Sequence, residues 1–122
     1  MQRGIYQSEE VQIKDNLGGR EVTSKGYFFI VYLSPDRIIF MLTDGGIPKL
    51  SVFEGLDTSH LTHGHITESQ HDVSISFLNP SLEDTLNVYG YESNGRLSLN
   101  GEYEKHPELS WSHEFSLLES EE

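Results

Sequence analysis

Tyr27-Phe28-Phe29-Ile30-Val31-Tyr32-Leu33-Ser34-Pro35-Asp36-Arg37-Ile38-Ile39-Phe40-Met41-Leu42-Thr43 is the stretch whose reading decides the fold of this chain. Two apolar runs rich in β-branched and aromatic residues flank a short Ser-Pro-Asp-Arg reversal, the composition of a β-hairpin. Pro35 supplies the φ near −65° that a type I turn needs at its second position and Ser34 suits the first, so Leu33 is expected opposite Ile38. In that register one face collects Tyr27, Phe29, Val31, Leu33, Ile38, Phe40 and Leu42, and the other collects Phe28, Ile30, Tyr32, Ile39 and Met41. Both faces are apolar. Leaving five such side chains in water would forgo on the order of 10 kcal/mol and invite association, so something must cover the second face. Cover could come from the N-terminal segment or from the loop around Ile47 and Pro48. The reading carried forward is a homodimer interface made of Phe28, Ile30, Tyr32, Ile39 and Met41.

Outward from this hairpin, two-residue alternation recurs along most of the chain and no dozen residues keep a 3.6-residue apolar stripe. Strands are predicted at Gly4 to Ile13, Glu21 to Leu33, Arg37 to Thr43, Lys49 to Glu54, His60 to Glu68, Asp72 to Leu78, Asp84 to Glu92, Arg96 to Tyr103 and Leu109 to Leu118. They make up about two-thirds of the chain, far above the roughly 20–25 % of an average globular protein and compatible with a closed antiparallel barrel. Ser93-Asn94-Gly95-Arg96 carries the Asn-Gly pair of a two-residue hairpin and sets Glu92 opposite Leu97. Ser69-Gln70-His71 is a further short reversal. Consecutive strands joined this tightly make an up-and-down meander, so the fold class is all-β, with a barrel of about eight to nine strands.

At 122 residues the chain is expected to form one domain, residues 1–122. Eight Lys and Arg against twenty Asp and Glu give a net charge of −12, which repels nucleic-acid phosphates and anionic membranes, and neither is expected as a partner. The absence of cysteine excludes disulfides and thiolate chemistry and suits a reducing compartment. No apolar run approaches a membrane span and Met1-Gln2-Arg3-Gly4-Ile5 lacks the apolar core of a signal peptide, so a cytoplasmic location is expected.

Several segments resemble the strands of small bacterial lipocalin-like domains of the calycin superfamily. Gly4-Ile5-Tyr6 followed by Phe29 to Ile39 is similar to their opening strand and first hairpin. Gly64-His65-Ile66, Val73-Ser74-Ile75-Ser76-Phe77, Tyr89-Gly90-Tyr91 and Gly95 to Leu99 are similar to the following meander, and Ser112-His113-Glu114-Phe115 to its closing strand. The Gly-X-Trp opening of extracellular lipocalins is Gly4-Ile5-Tyr6 here, and the paired Arg-x-Tyr of fatty-acid-binding barrels is missing. The resemblance implies a barrel interior able to hold a small apolar or amphipathic molecule.

With the faces above, the interior would receive Phe29, Val31, Phe40, Leu42, Ile66, Ile75, Phe77, Leu86, Val88, Leu99, Tyr103, Trp111 and Phe115, and Gly64, Gly90 and Gly101 would leave room among them. Tyr103, His113 and the Trp111 indole N–H are the inward polar groups, and Tyr27 stands at the mouth, so these four are the candidate ligand-binding residues. His113 reads equally as a core histidine satisfied by a neighbour. His63 and His65 share one side of a strand at a spacing two imidazoles can use to hold Zn²⁺ or Ni²⁺. They face solvent, and with His60 and His71 show no thiolate or fixed surround, so neither a metal nor another cofactor is expected. No Gly-x-Ser-x-Gly elbow, phosphate loop or dinucleotide fingerprint is present, and catalysis is not predicted. The alternative to ligand binding is a solid barrel that serves as a protein-interaction module through its acidic surface or the 27–43 hairpin, and a calycin-type enzyme is the less favoured third reading.

Overall fold

One strand, β3 (Arg20–Ser34), holds the architecture together. The computed structural model describes residues 1–44 and 46–120. The other strands are β1 (Gly4–Ser8), β2 (Val11–Leu17), β4 (Arg37–Thr43), β5 (His63–Ile66), β6 (Val73–Asn79), β7 (Asp84–Ser93), β8 (Arg96–Tyr103) and β9 (Trp111–Ser120). Neighbours pair antiparallel in the order β1-β9-β8-β7-β6-β5-β4-β3-β2, and β1 also pairs with β3. That last pairing closes an eight-stranded meander barrel from β1 and β3 to β9, with β2 left as an extra strand on the first half of β3. Val11 to Leu17 of β2 run along Gly26 to Arg20, and Gly4 to Gln7 of β1 take over the same edge from Tyr32 to Phe29. Between the two, the Phe28 amide has no ladder partner and donates instead to the Ser8 hydroxyl at 2.9 Å. A closed barrel leaves no exposed sheet edges along these eight strands, which is how an all-β chain avoids edge-to-edge pairing.

The Asn94-Gly95 turn is as expected. Both residues have positive φ, 52° and 77°, and Glu92 lies opposite Leu97. The Pro35-Asp36 turn differs by one residue. Ser34 does pair with Arg37, but a bulge at Leu33 brings Tyr32, not Leu33, opposite Ile38. Because side chains alternate, a one-residue slip exchanges the faces of the whole strand.

The inside therefore receives Ile30 and Tyr32 with Ile38, Phe40, Val73, Ile75, Phe77, Leu86, Val88, Leu97, Leu99, Phe115 and Tyr6, and Phe28 packs against them. Phe29 and Val31, expected inside, lie on the outer face. There they join Ile5, Ile39, Leu50 and Phe53 in a second apolar cluster, with Tyr27, Leu33 and Met41 packed against it. This corrects the expected interface set: Phe28, Ile30 and Tyr32 belong to the interior, and Ile39 is 1 % exposed beneath intrachain cover. The exposed apolar face that motivated a dimer is thus closed by the chain itself.

The cover is a single helical turn, α1 (Leu50–Phe53), where a strand from Lys49 to Glu54 was expected. Leu50 and Phe53 are three residues apart; a helical turn puts them on one side, whereas a strand would put them on opposite faces. Both are buried against the barrel, while Val52 between them is 60 % exposed. Arg37 fixes the segment by donating from Nη2 to the carbonyls of Phe53 (2.8 Å) and Leu56 (2.5 Å), and Arg3 pairs with Glu54. No helix among the described residues is long and apolar enough to cross a membrane.

Replacing Phe53 by Ala should remove most of this cover. The expected cost is about 3 kcal/mol of unfolding free energy, with concentration-dependent association as the β3–β4 face is bared. Val52→Ala on the same turn should change stability by less than about 0.5 kcal/mol. Urea unfolding of both variants, with sedimentation, checks this.

Candidate functional site

The closed meander gives the barrel two ends, and polar groups that face inward occur at them. At one end lie the last residues of β1, β4, β6 and β8 and the first of β5, β7 and β9. Here Phe28 and Trp111 stack with ring centroids 5.5 Å apart and planes 24° apart, and Trp111 and His113 at 5.8 Å and 22°. Phe28 and His113 are 5.4 Å apart, so the three rings form one aromatic mouth. Phe40 meets Phe28 and Phe77 edge-on at 5.2 and 5.6 Å, carrying the aromatic contact down into the core. Leu42 shares the inward face of β4 with Phe40 but is 45 % exposed, because it sits beyond the rim.

His113 is anchored. Its Nδ1 lies 2.9 Å from Glu9 Oε1, and Glu9 itself is placed by its amide donating to the Glu114 carbonyl at 3.2 Å. With Nδ1–H directed to the carboxylate, Nε2 is the ring nitrogen left for another group, and it has no partner among the described residues. The Trp111 indole N–H is likewise without a hydrogen bond among them. Across the same end, the Tyr103 hydroxyl accepts from Asn79 Nδ2 at 3.2 Å and keeps its own proton to donate.

Of the four expected ligand-binding residues, Trp111, His113 and Tyr103 therefore lie at one end of the barrel, with Trp111 and His113 in ring contact. Tyr27 does not. The slip at Leu33 turns it outward, where its ring packs 6.4 Å from Phe29 in the outer cluster. Nor do the inward glycines leave space. A Cβ on Gly101 would overlap the Trp111 indole, and Cβ atoms on Gly64 and Gly90 would overlap the backbone at Ser76 and Ser98. The first glycine seats the tryptophan and the other two admit a close strand approach.

The remaining histidines are dispersed. His63 and His65 flank buried Gly64 on the outer face, and the His63 Nδ1 lies 2.7 Å from the Leu61 carbonyl oxygen. His60 is exposed, and the His71 ring packs on Tyr89 with centroids 4.9 Å apart. Among the described residues no three His, Asp or Glu side chains are placed to hold a metal ion.

One polar constellation was missed. Asp84, at the inward position that starts β7, is 3 % exposed. It accepts from the Lys105 amide (2.9 and 3.1 Å), the Thr85 amide (2.7 Å) and His106 Nδ1 (2.7 Å). Burial alone would raise its pKa, but the His106 bond and the two amide donors outweigh that and hold it below the ordinary 3.8. The signal was in the pattern: Asp84 has the same parity as Leu86 and Val88, and an acid at a core position calls for donors. Two of its donors, the Lys105 amide and His106, lie on the β8–β9 connection, so Asp84 ties that connection to this end of the barrel. No Ser hydroxyl is hydrogen-bonded to His106 or His113 among the described residues, so neither imidazole–carboxylate pair is completed to a nucleophilic triad.

No family model, curated protein or solved structure matches this chain. What is established is the class, an all-β protein whose eight-stranded antiparallel barrel is closed and carries one extra strand.

A carboxyl with a lowered folded pKa takes up its proton more readily in the unfolded chain. Its stabilisation is therefore full above the unfolded value and is lost as pH falls through the folded one. Asp84→Asn should flatten the acid limb of the stability curve below about pH 4 relative to the parent. Thermal melts at a series of pH values check this; an acid limb of unchanged slope in the variant would contradict it.

Proposed function

We propose that this protein binds a small, planar, amphipathic molecule at the aromatic mouth of its barrel, a ligand-holding role like that of the lipocalin-like domains its strands resemble. The observation that carries the reading is the grouping of Phe28, Trp111 and His113 within 5.4–5.8 Å of one another at a rim where inward-facing Leu42 stays exposed. A flat apolar surface with a few fixed polar groups is what small-molecule recognition needs. The rings supply the surface. Nε2 of His113 and the hydroxyl proton of Tyr103 supply the polar contacts, and Glu9 and Asn79 hold those two groups in place. Because Trp111 occupies the space at Gly101, the ligand is seated on the rim and not deep in the core.

That same packing also supports the second reading, a solid barrel whose work is done by its acidic outer surface toward a protein partner. The two readings differ in what Trp111 reports. It is the only tryptophan in the chain, so its emission reads the mouth without a label. Titration with 1-anilinonaphthalene-8-sulfonate should quench Trp111 saturably at one equivalent. Phe28→Ala and His113→Ala should each weaken binding about tenfold, which corresponds to about 1.4 kcal/mol. Non-saturable quenching, or equal affinity in both variants, would favour the solid barrel.

A further inference from the structure

The end of the barrel opposite the mouth carries an open cleft of about 450 Å³, framed by the β3–β4 turn, the end of β5 and the β5–β6 connection. This volume falls within the roughly 300–1,000 Å³ of small-molecule sites. Its walls are fixed by the backbone. The Ile66 amide donates to the Pro35 carbonyl at 2.7 Å, the Thr67 amide to the Ser74 carbonyl at 2.9 Å, and the Thr67 and Ser74 hydroxyls lie 2.7 Å apart. Met1, Pro35, Ile66 and Val73 give it an apolar lining, and Ile66 is 37 % exposed there.

Tyr32 marks it as more than a surface dent. The bulge at Leu33 turns this residue inward, it is 8 % exposed, and it lines the cleft. Its hydroxyl has no hydrogen-bond partner among the described residues, yet it is not among the atoms sealed from solvent. A tyrosine hydroxyl in a protein interior ordinarily finds a partner, so an open one at the floor of a cleft is placed to take one from outside. Desolvation raises its pKa, so at neutral pH it is a hydroxyl and not a phenolate.

The rim is acidic. Glu68 and Asp72 line the cleft with His71. Asp72 Oδ2 accepts from the Glu92 amide at 3.1 Å, which orients the carboxylate, and Glu68 has no ion-pair partner among the described residues. The Met1 ammonium lies 3.8 Å from the Glu92 carboxylate, and the His71 ring packs on Tyr89 and Tyr91. Carboxylates therefore outnumber fixed positive charge around the cleft, in a chain of net charge −12.

We propose that this cleft binds a small organic ammonium ion with an apolar body. The body packs on Met1, Ile66 and Val73, the Tyr32 hydroxyl accepts an N–H, and the carboxylates of Glu68 and Asp72 balance the charge. An isosteric carboxylate could accept from the Tyr32 hydroxyl, but it would meet the two carboxylates of Glu68 and Asp72, so charge is what sets the preference. The site is independent of the aromatic mouth.

The test is titration of the untagged full chain with 2-phenylethylamine, followed by backbone amide NMR, with 3-phenylpropionate as the anion of matching shape. The amine should cause saturable shifts at residues 66–74 with a dissociation constant near or below about 1 mM, weakening as salt is raised. The anion should cause none. Tyr32→Phe and Glu68→Gln should each reduce affinity about fivefold, and His113→Ala at the mouth should leave it unchanged. If Tyr32→Phe lowers the melting temperature, the exposed-rim variant Glu68→Gln decides. The proposal is overturned by no saturable shift with the amine, by equal binding of the anion, by shifts centred on Phe28 and Trp111, or by unchanged affinity in Glu68→Gln.

Discussion

Everything in this barrel hangs on the way β3 divides its hydrogen bonds. One of its edges serves β4 along Tyr27 to Ser34, and the other serves β2 first and β1 afterwards. Only the second half of β3 is therefore part of the closed cylinder, and the Ser8 hydroxyl covers the amide at the changeover. The bulge at Leu33 then decides which side of that half faces the core. With it, Ile30 and Tyr32 enter the barrel and Phe29 and Val31 leave it. Without it, the two sets would trade places. The outer set then requires cover, which the chain supplies through Leu50 and Phe53 on a turn held by Arg37.

The same constraint distributes chemistry. Once β-branched, leucine and phenylalanine side chains fill the middle, inward polar groups can be satisfied only near the rims, where water or a connecting loop is in reach. Asp84 and Tyr103 find partners in this way at one end, and His113 finds Glu9. Tyr32 at the other end has no hydrogen-bond partner for its hydroxyl among the described residues. The glycines contribute to the closure of the middle, since the space at Gly101 is the seat of Trp111. In a barrel built like this, the inward polar side chains gather at the two ends.

Much of this was legible in the residues. Alternation within β6 to β9 and the Asn94-Gly95 turn placed the antiparallel meander, and the same parity set Tyr103, Trp111 and His113 on the inward face. What could not be read was a bulge, because it is one extra residue whose signature is identical to that of an ordinary strand residue until its partners are known. That single slip misplaced Tyr27, Phe28, Ile30 and Tyr32 together and turned an internal strand face into a supposed interface. The run from Lys49 to Glu54 was too short for periodicity to separate a helical turn from a strand. Glu9 could not be linked to His113, since 104 residues separate them and only the closure of β1 on β9 brings them together.

The most direct test of the account is therefore the facing of β3, read by nuclear Overhauser contacts from its methyl groups in the intact protein. Ile30 should show cross-peaks to the interior set, such as Leu99 and Phe115, and Val31 to Leu50 and Phe53. Contacts of Val31 with Leu99 or Phe115, and of Ile30 with Leu50 or Phe53, would mean that Leu33 is not bulged. Both proposed sites would then lose the residues on which they stand.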